Sequence, residues 1–317
     1  MWPTVAQPTE VPGFLPGVWN PGAVGIVQSA MSPRHVVAAL ATVGLGLVAV
    51  ACGSDDAQPA STGTDSTLPP VDDPVGYQHP TGADEVVVSY EEVGGFTTRE
   101  FAFQRTPNVL VAGDGRAFSP GAQIEIYPGP LLPAVQVWTL GEDGIQDVLA
   151  AADDAGLLAE IEYDQPANIA DATTAVVTID ANGETFVHEA YALGIGGGPG
   201  GAESTPERQA LLDFTTELVV IASPGPTGDV ALYEPDAYAI EALSVDDLSA
   251  YGSEIEPTVV DWPADASVRL ADAPSCTVIA ADEVDEVFAT ANQLTFFDDA
   301  GVVYQVLVRP VLPGRSC

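Results

Sequence analysis

The chain has 317 residues, of which 46 are acidic and eight are arginine, and because it has no lysine its formal net charge is -38. A field of this sign repels nucleic acid and anionic lipid surfaces, so the composition argues against nucleic-acid binding and disfavours phosphate binding in general. The acids are dispersed along the chain and form no block. This dispersion favours a role in solubility over a cation sink or a docking face for a basic partner.

The first recognisable element is an export signal. A positive region that contains Arg34 begins at Met31, and the apolar residues 36–51 lead directly to Cys52. This layout is typical of a bacterial lipoprotein signal, in which the Cys thiol is acylated and becomes the new N-terminus. The apolar run is shorter than the roughly 20 residues that span a bilayer, which disfavours a transmembrane helix. We therefore expect residues 31–51 to be a signal peptide and Cys52 to carry the lipid, including palmitate-type chains.

Two segments without a predicted folded element flank this signal. Residues 1–30 lack Lys and Arg and are rich in Pro and Gly, so we expect a mis-assigned start or a disordered segment there. Residues 52–83, which follow the signal, carry few large apolar side chains and are expected to be a disordered tether. Such a tether would hold the folded part about 30 Å from the membrane. The expected location is extracytoplasmic, at the outer face of the cell membrane.

Residues 84–224 are predicted to form an α+β domain. A helix with apolar side chains at helical spacing is predicted to end at Gly156, and a second helix is predicted to begin with Thr205 as N-cap and Pro206 at its first position. The turn Asn182-Gly183 predicts a hairpin. Strands are predicted at residues 86–90, 99–103, 109–111, 123–127, 175–179 and 185–193.

Two loops in this part invite functional readings. The Pro-rich residues 128–133 could present a polyproline surface to a partner, and a rigid connection is the favoured alternative. The Gly-rich residues 194–201 precede a helix as a phosphate loop does, but they lack the Lys and the Ser or Thr of such a loop. A flexible surface loop is therefore expected there.

Residues 225–317 are expected to form a smaller α+β segment. Strands are predicted at residues 238–243 and 258–262, followed by a third helix that carries Val284 and Phe288 and by a final hairpin that turns at residues 298–301. The fold class that follows is α+β, with mainly antiparallel sheet hairpins and about three packed helices.

Cys276 and Cys317 are the two thiols that remain once Cys52 is lipidated. Two thiols in an oxidising compartment usually pair, so we expect a disulfide that closes the C-terminal segment. In the loop-entropy model this crosslink contributes about 4 kcal/mol to stability. A metal site is the alternative, which the lack of a nearby His weakens.

Several of these pieces together resemble a family. The lipoprotein signal, the sequence Tyr-Pro-Gly-Pro-Leu-Leu-Pro at residues 127–133, the helix that ends in residues 155–158, and the Arg-Pro-Val-Leu-Pro at residues 309–313 before Cys317 are similar to uncharacterised actinobacterial cell-envelope lipoproteins. The resemblance covers most of the chain after Asp84. It implies a location and a shared fold, and it implies no activity.

Residue types that carry catalysis are scarce. His188 is the one histidine in a predicted folded element, and we expect it to have a surface or half-buried structural role in its strand. No Gly-x-Ser-x-Gly or His-Glu-x-x-His pattern occurs. We therefore assign no catalytic residue, no cofactor and no metal. Trp138 and Trp262 are expected to fill core space, and each arginine of the exported part is expected to be paired.

These features predict an exported, membrane-anchored lipoprotein with a non-enzymatic binding or scaffold role at the cell envelope. Its expected partners are the membrane, through the lipid on Cys52, and an envelope protein or wall polymer. The alternative is an extracytoplasmic hydrolase that uses paired carboxylates, which need only two well-placed acids. A cleft with two converging carboxylates would favour the hydrolase, and a surface without them would favour binding.

Overall fold

A computed structural model describes residues 76–195, 205–225, 228–251 and 254–317. Residues 1–30, the signal peptide at residues 31–51 and the lipidation site Cys52 lie outside the described residues. The described chain belongs to one compact unit, Leu68–Cys317. Its two sheets are dominated by antiparallel pairs and are accompanied by helices, so the α+β class is confirmed.

The first sheet has seven strands in the order β6-β5-β1-β2-β3-β4-β7, all of them antiparallel to their neighbours. Its elements in chain order are β1 (Val86–Gly94), α1 (Arg99–Gln104), β2 (Val109–Ala112), β3 (Arg116–Pro120), β4 (Val135–Thr139), α2 (Gly141–Asp154), β5 (Thr173–Ala181), β6 (Glu184–Tyr191), α3 (Pro206–Ile221) and β7 (Ala231–Leu232).

The second sheet has five strands in the order β10-β8-β12-β11-β9. Its pairs are antiparallel except β9 with β11, which run parallel. The elements are β8 (Ala237–Ser244), β9 (Thr258–Asp261), β10 (Thr277–Ala280), α4 (Asp285–Phe288), β11 (Thr295–Asp299) and β12 (Val302–Pro310).

The first sheet is buried on both faces near its centre. Side chains alternate along a strand, so Val109 and Val111 of β2 join the core beneath α2 and α3, whereas Leu110 and Ala112 face the opposite way. Leu110 and Ala112 pack there with the C-terminal residue Leu312. The central strand β2 is therefore apolar at all four positions.

The two sheets exchange apolar side chains. Leu131 belongs to the β3–β4 connection of the first sheet, yet it is 5 % exposed and packs in the core of the second sheet, and its N–H donates to the Ala291 carbonyl. Leu312 follows the last strand of the second sheet and is buried against the first. Tyr233 adds to this contact by donating its hydroxyl to the Val311 carbonyl at 3.1 Å.

Several local predictions are confirmed. The hairpin β5–β6 turns at Asn182 and Gly183, both with positive φ as a type I′ turn requires. Gly156 has φ +74° directly after the last turn of α2, and Thr205 caps α3 by accepting a hydrogen bond from the Arg208 N–H. Short-range backbone chemistry therefore set these boundaries.

Other local predictions were wrong. Residues 99–103 form the helix α1 and not a strand, because the Thr98 hydroxyl accepts from the Phe101 N–H as an N-cap. Residues 123–127 form no strand, and the strand that pairs with β3 is β4, beyond the Pro-rich segment. The third helix is reduced to the single turn α4.

The tether prediction is corrected for its last eight residues. Residues 76–83 are held on the first sheet and α2, because the Tyr77 N–H donates to the Gln146 side chain at 2.8 Å and the Asn182 N–H donates to the Gln78 carbonyl at 2.7 Å. Residues 52–75 lie outside the described part. The boundary between residues 84–224 and 225–317 follows the two sheets except at β7 and Leu312, which join the first sheet.

Cys276 and Cys317 lie at disulfide distance, with Cα atoms 5.4 Å apart and a sequence separation of 41. The pairing agrees with the expected crosslink and fixes the C-terminal residues beside β10. Among the helices that the structure describes, none has the length and apolar composition needed to cross a membrane.

Candidate functional site

A cleft of about 630 Å³ lies beside α1, between the first sheet and the Pro-rich segment. Its lining consists mainly of side-chain amides, hydroxyls and prolines, with one carboxylate and one guanidinium. The lining residues are Glu92, Thr97, Phe101, Gln104, Arg105, Thr106, Asn108, Pro120, Gly121, Gln123, Pro130, Leu131, Pro133, Ala134, Thr173 and Gln293.

Reciprocal hydrogen bonds hold the Pro-rich wall of the cleft. The Gly129 N–H donates to the Gln293 side chain at 3.0 Å, and the Gln293 N–H donates to the Gly129 carbonyl at 2.9 Å. From the opposite wall, the Gln104 amide of α1 donates to the Leu131 carbonyl at 2.9 Å. These hydrogen bonds hold the segment as a connection between the two walls, in keeping with the rigid connection that the sequence favoured.

Glu92 is the acidic group of the cleft and is held in place by two donors. The Tyr90 hydroxyl donates to one carboxylate oxygen at 3.2 Å, and the Thr173 hydroxyl donates to the other at 3.0 Å. Burial, with the charge of Glu92 beside it, raises the pKa of Tyr90 to about 12, so the phenol stays a donor at neutral pH. The carboxylate is therefore oriented and partly buried.

Arg105 closes the cleft next to Glu92. Its guanidinium donates to the backbone carbonyls of Glu92 and Gly94 and lies 5.3 Å from the centre of the Phe101 ring. An arginine that bridges carbonyls and stacks on an aromatic ring fixes both groups. It thus joins α1 to the end of β1.

Exposed apolar side chains lie on the chain segments that border the cleft, and we call them the apolar rim. Phe96 and Phe101 stand on the α1 side, and Ile124, Ile126 and Tyr127 stand on the loop after β3. Their exposed fractions run from 58 % for Ile126 to 91 % for Phe96. Large apolar groups exposed near one cleft are typical of an interaction site.

The cleft does not have the donor set of a carboxylate hydrolase. Glu92 is the single carboxylate among its lining residues, and paired-carboxylate hydrolysis needs a second acid about 5 to 9.5 Å away. Elsewhere, Glu142, Glu207 and Asp247 accept hydrogen bonds that lower their pKa, so these acids are ionised. No metal-binding group of three His, Cys, Asp or Glu side chains occurs in the described residues.

The residues singled out from the sequence lie away from this cleft. His188 hydrogen-bonds Tyr163 at 3.0 Å and the Leu157 carbonyl at 2.8 Å, which is a structural role. The expected surface or half-buried position was wrong, because His188 is 1 % exposed in β6. Trp138 and Trp262 are buried in the two cores. Residues 194–195 are all that the structure describes of the Gly-rich loop.

The sequence did not predict the cleft because its lining residues form no recognisable pattern along the chain. Glu92 and Gln104 are common surface residue types, and residues 123–127 alternate like a strand even though Ile124 and Ile126 are exposed. One available signal was Thr98 as an N-cap with Glu100 in the first turn, a pattern typical of a helix start.

With the geometry defined, the chain was compared with known proteins. It matches no protein-family model, no curated protein and no solved structure. The function must therefore be argued from the cleft and the sequence.

The buried His188 predicts a pH dependence of stability. Burial lowers the pKa of His188, and the hydrogen bond with Leu157 offsets only part of this effect. In the unfolded chain the histidine has a pKa of about 6.5, so it binds a proton more readily there than in the folded chain. The contribution of neutral His188 to the free energy of unfolding is therefore complete above that pH and is lost as the pH falls. The resulting slope is at most about 1.4 kcal/mol per pH unit.

Urea unfolding of the wild type and of His188→Gln between pH 7.5 and 5.5 measures this contribution. We expect the variant to be less stable at pH 7.5 and the gap to narrow toward pH 5.5. The neighbour Val187, which is exposed, provides the control: Val187→Thr should keep the wild-type pH dependence. A constant gap between the wild type and His188→Gln would contradict the prediction.

Proposed function

We propose that this protein is an exported, lipid-anchored binding protein of the cell envelope that holds a protein partner in the cleft beside α1. The signal pattern at residues 31–51, Cys52 at its end and the polar residues that follow support its place at the outer face of the membrane. The cysteine pair at disulfide distance supports an oxidising compartment. The resemblance to actinobacterial cell-envelope lipoproteins points to the same location.

The observation that carries the binding proposal is the combination of the apolar rim with one oriented carboxylate. Interfaces with proteins are anchored by aromatic and aliphatic groups, which Phe96, Phe101 and Tyr127 supply here. Glu92 lies within the cleft and presents its negative charge to a Lys or Arg of the partner. A partner segment with apolar and basic side chains satisfies both features.

The net charge supports the same choice of partner. At low ionic strength a charge of -38 attracts a basic segment and speeds its encounter with the cleft, and physiological salt limits this attraction to about 8 Å. The aliphatic rim residues Ile124 and Ile126 offer apolar contact and no hydrogen bonds, which suits a protein better than a wall polymer. A hydrolase receives less support because a second carboxylate does not line the cleft.

The anchor is tested by Cys52→Ala. Without the thiol no acyl chain can be attached, so we expect the variant to move from the membrane fraction to the soluble fraction. Cell fractionation with immunodetection measures this, and Ser54→Ala beside it serves as the control that should stay bound. Membrane retention of Cys52→Ala at the level of Ser54→Ala would contradict lipid anchoring.

The partner site is tested by a photoreactive amino acid at Gln123, which lines the cleft, with Val187 on β6 as the exposed control position. Irradiation of intact envelopes should give one protein adduct from position 123 and none from position 187. Because rim side chains can contribute about 2 kcal/mol each, Phe101→Ser should lower the adduct yield about tenfold or more.

The same experiment has defined contrary outcomes. Equal labelling from positions 123 and 187, or an adduct that a glycan-degrading enzyme and not a protease removes, would overturn the proposed protein partner. Glu92→Gln separates charge from apolar contact, since it should weaken capture most at low salt.

A further inference from the structure

A positive groove lies on the other side of α1 from the cleft. Four of the eight arginines surround it: Arg99, Arg105, Arg309 and Arg315. Two adjoining cavities of about 390 and 440 Å³ share Arg309 and Arg315 between α1, β12 and the C-terminal residues. In a chain with so few cations, this concentration needs an explanation.

Two of these arginines have carboxylate partners. Arg99 pairs with Glu241 of β8, and Arg315 pairs with Glu91 of β1 at 2.7 Å. Each pair carries one positive and one negative charge, so these four side chains add no net charge to the groove. Arg105 and Arg309 form no ion pair with a carboxylate of the described residues, although Glu91 and Glu241 also line the groove.

Arg309 is held by a few contacts that leave some of its N–H groups available. One of its Nη atoms donates to the Ser316 carbonyl at 3.0 Å, and its guanidinium lies 5.8 Å from the centre of the Phe103 ring of α1. Its other N–H groups have no hydrogen-bond partner in the described part of the chain. Burial and then the charge of Arg315 lower the pKa of Arg309, and the charge of Glu91 offsets part of this effect.

We propose that this groove binds a phosphate dianion, either free or as a monoester. Two guanidinium groups that form no ion pair match the charge of a dianion, and the planar fork of Arg309 matches the spacing of phosphate oxygens. The net charge of -38 does not forbid this, because at physiological salt charges more than about 8 Å away are largely screened.

The phosphate site goes beyond the proposed function and does not depend on it. The rim residue Phe101 faces the cleft, and Phe103 of the same helix faces the groove. Arg105 lines both the cleft and the groove, whereas Arg309 lines the groove and not the cleft, so a variant at Arg309 leaves the cleft lining unchanged. Failure of partner capture and failure of phosphate binding can thus be told apart.

Calorimetric titration of the full chain with sodium phosphate, at pH 8 and constant ionic strength set with chloride, tests the site. We expect saturable binding that Arg309→Gln weakens about tenfold or more, since it removes charged hydrogen bonds to the anion. The matched control is Arg116→Gln, because Arg116 pairs with Asp114 outside the groove. This control should stay within about twofold of the wild type.

Glycerol phosphate, as a second titrant, distinguishes the two sources. Binding of both titrants assigns the site to the phosphate group itself, and binding of the ester alone assigns it to a phosphorylated molecule. No binding of either, or equal weakening by Arg309→Gln and Arg116→Gln, would overturn the proposal. Arg309→Lys provides a check on folding, since it keeps the charge and loses the fork; it should melt like the wild type and gain less thermal stabilisation from phosphate.

Discussion

The reciprocal burial of Leu131 and Leu312 is the contact on which the arrangement of the described chain depends. Each side chain leaves its own sheet and fills the core of the other, so neither core is complete without its neighbour. Removing a buried leucine typically costs about 2 to 5 kcal/mol, a large part of the stability of an ordinary domain. Leu131 also fixes the Pro-rich wall of the cleft, which links packing directly to the site.

Ion pairs also connect the parts of the chain that belong to the two sheets. Arg315 comes from the end of the chain and reaches Glu91 on the first sheet, while Arg99 of α1 reaches Glu241 on the second. Arg208 is buried and donates to the carbonyls of Asp164, Tyr191 and Ala192, so the expectation that arginines pair with acids was incomplete. A guanidinium that donates to backbone carbonyls keeps its positive charge without a carboxylate partner, as Arg309 does.

Local chemistry explains how much of the fold could be predicted. The Asn182-Gly183 turn and the cap at Thr205 depend on neighbouring residues alone, and both were correct. The helix α1 was missed because its apolar spacing also suits a strand, and β4 was missed because its partner β3 lies beyond a proline-rich loop. The cleft joins residues as distant as Glu92 and Gln293, so no short pattern could show it.

Calorimetric unfolding of the full chain tests most directly whether the exchanged leucines make one cooperative body. The account predicts a single transition for the two sheets, with equal calorimetric and van't Hoff enthalpies, and a lower midpoint for the whole transition in Leu131→Ala. Two separate transitions, with Leu131→Ala shifting only one of them, would show that the sheets unfold independently and would contradict the account.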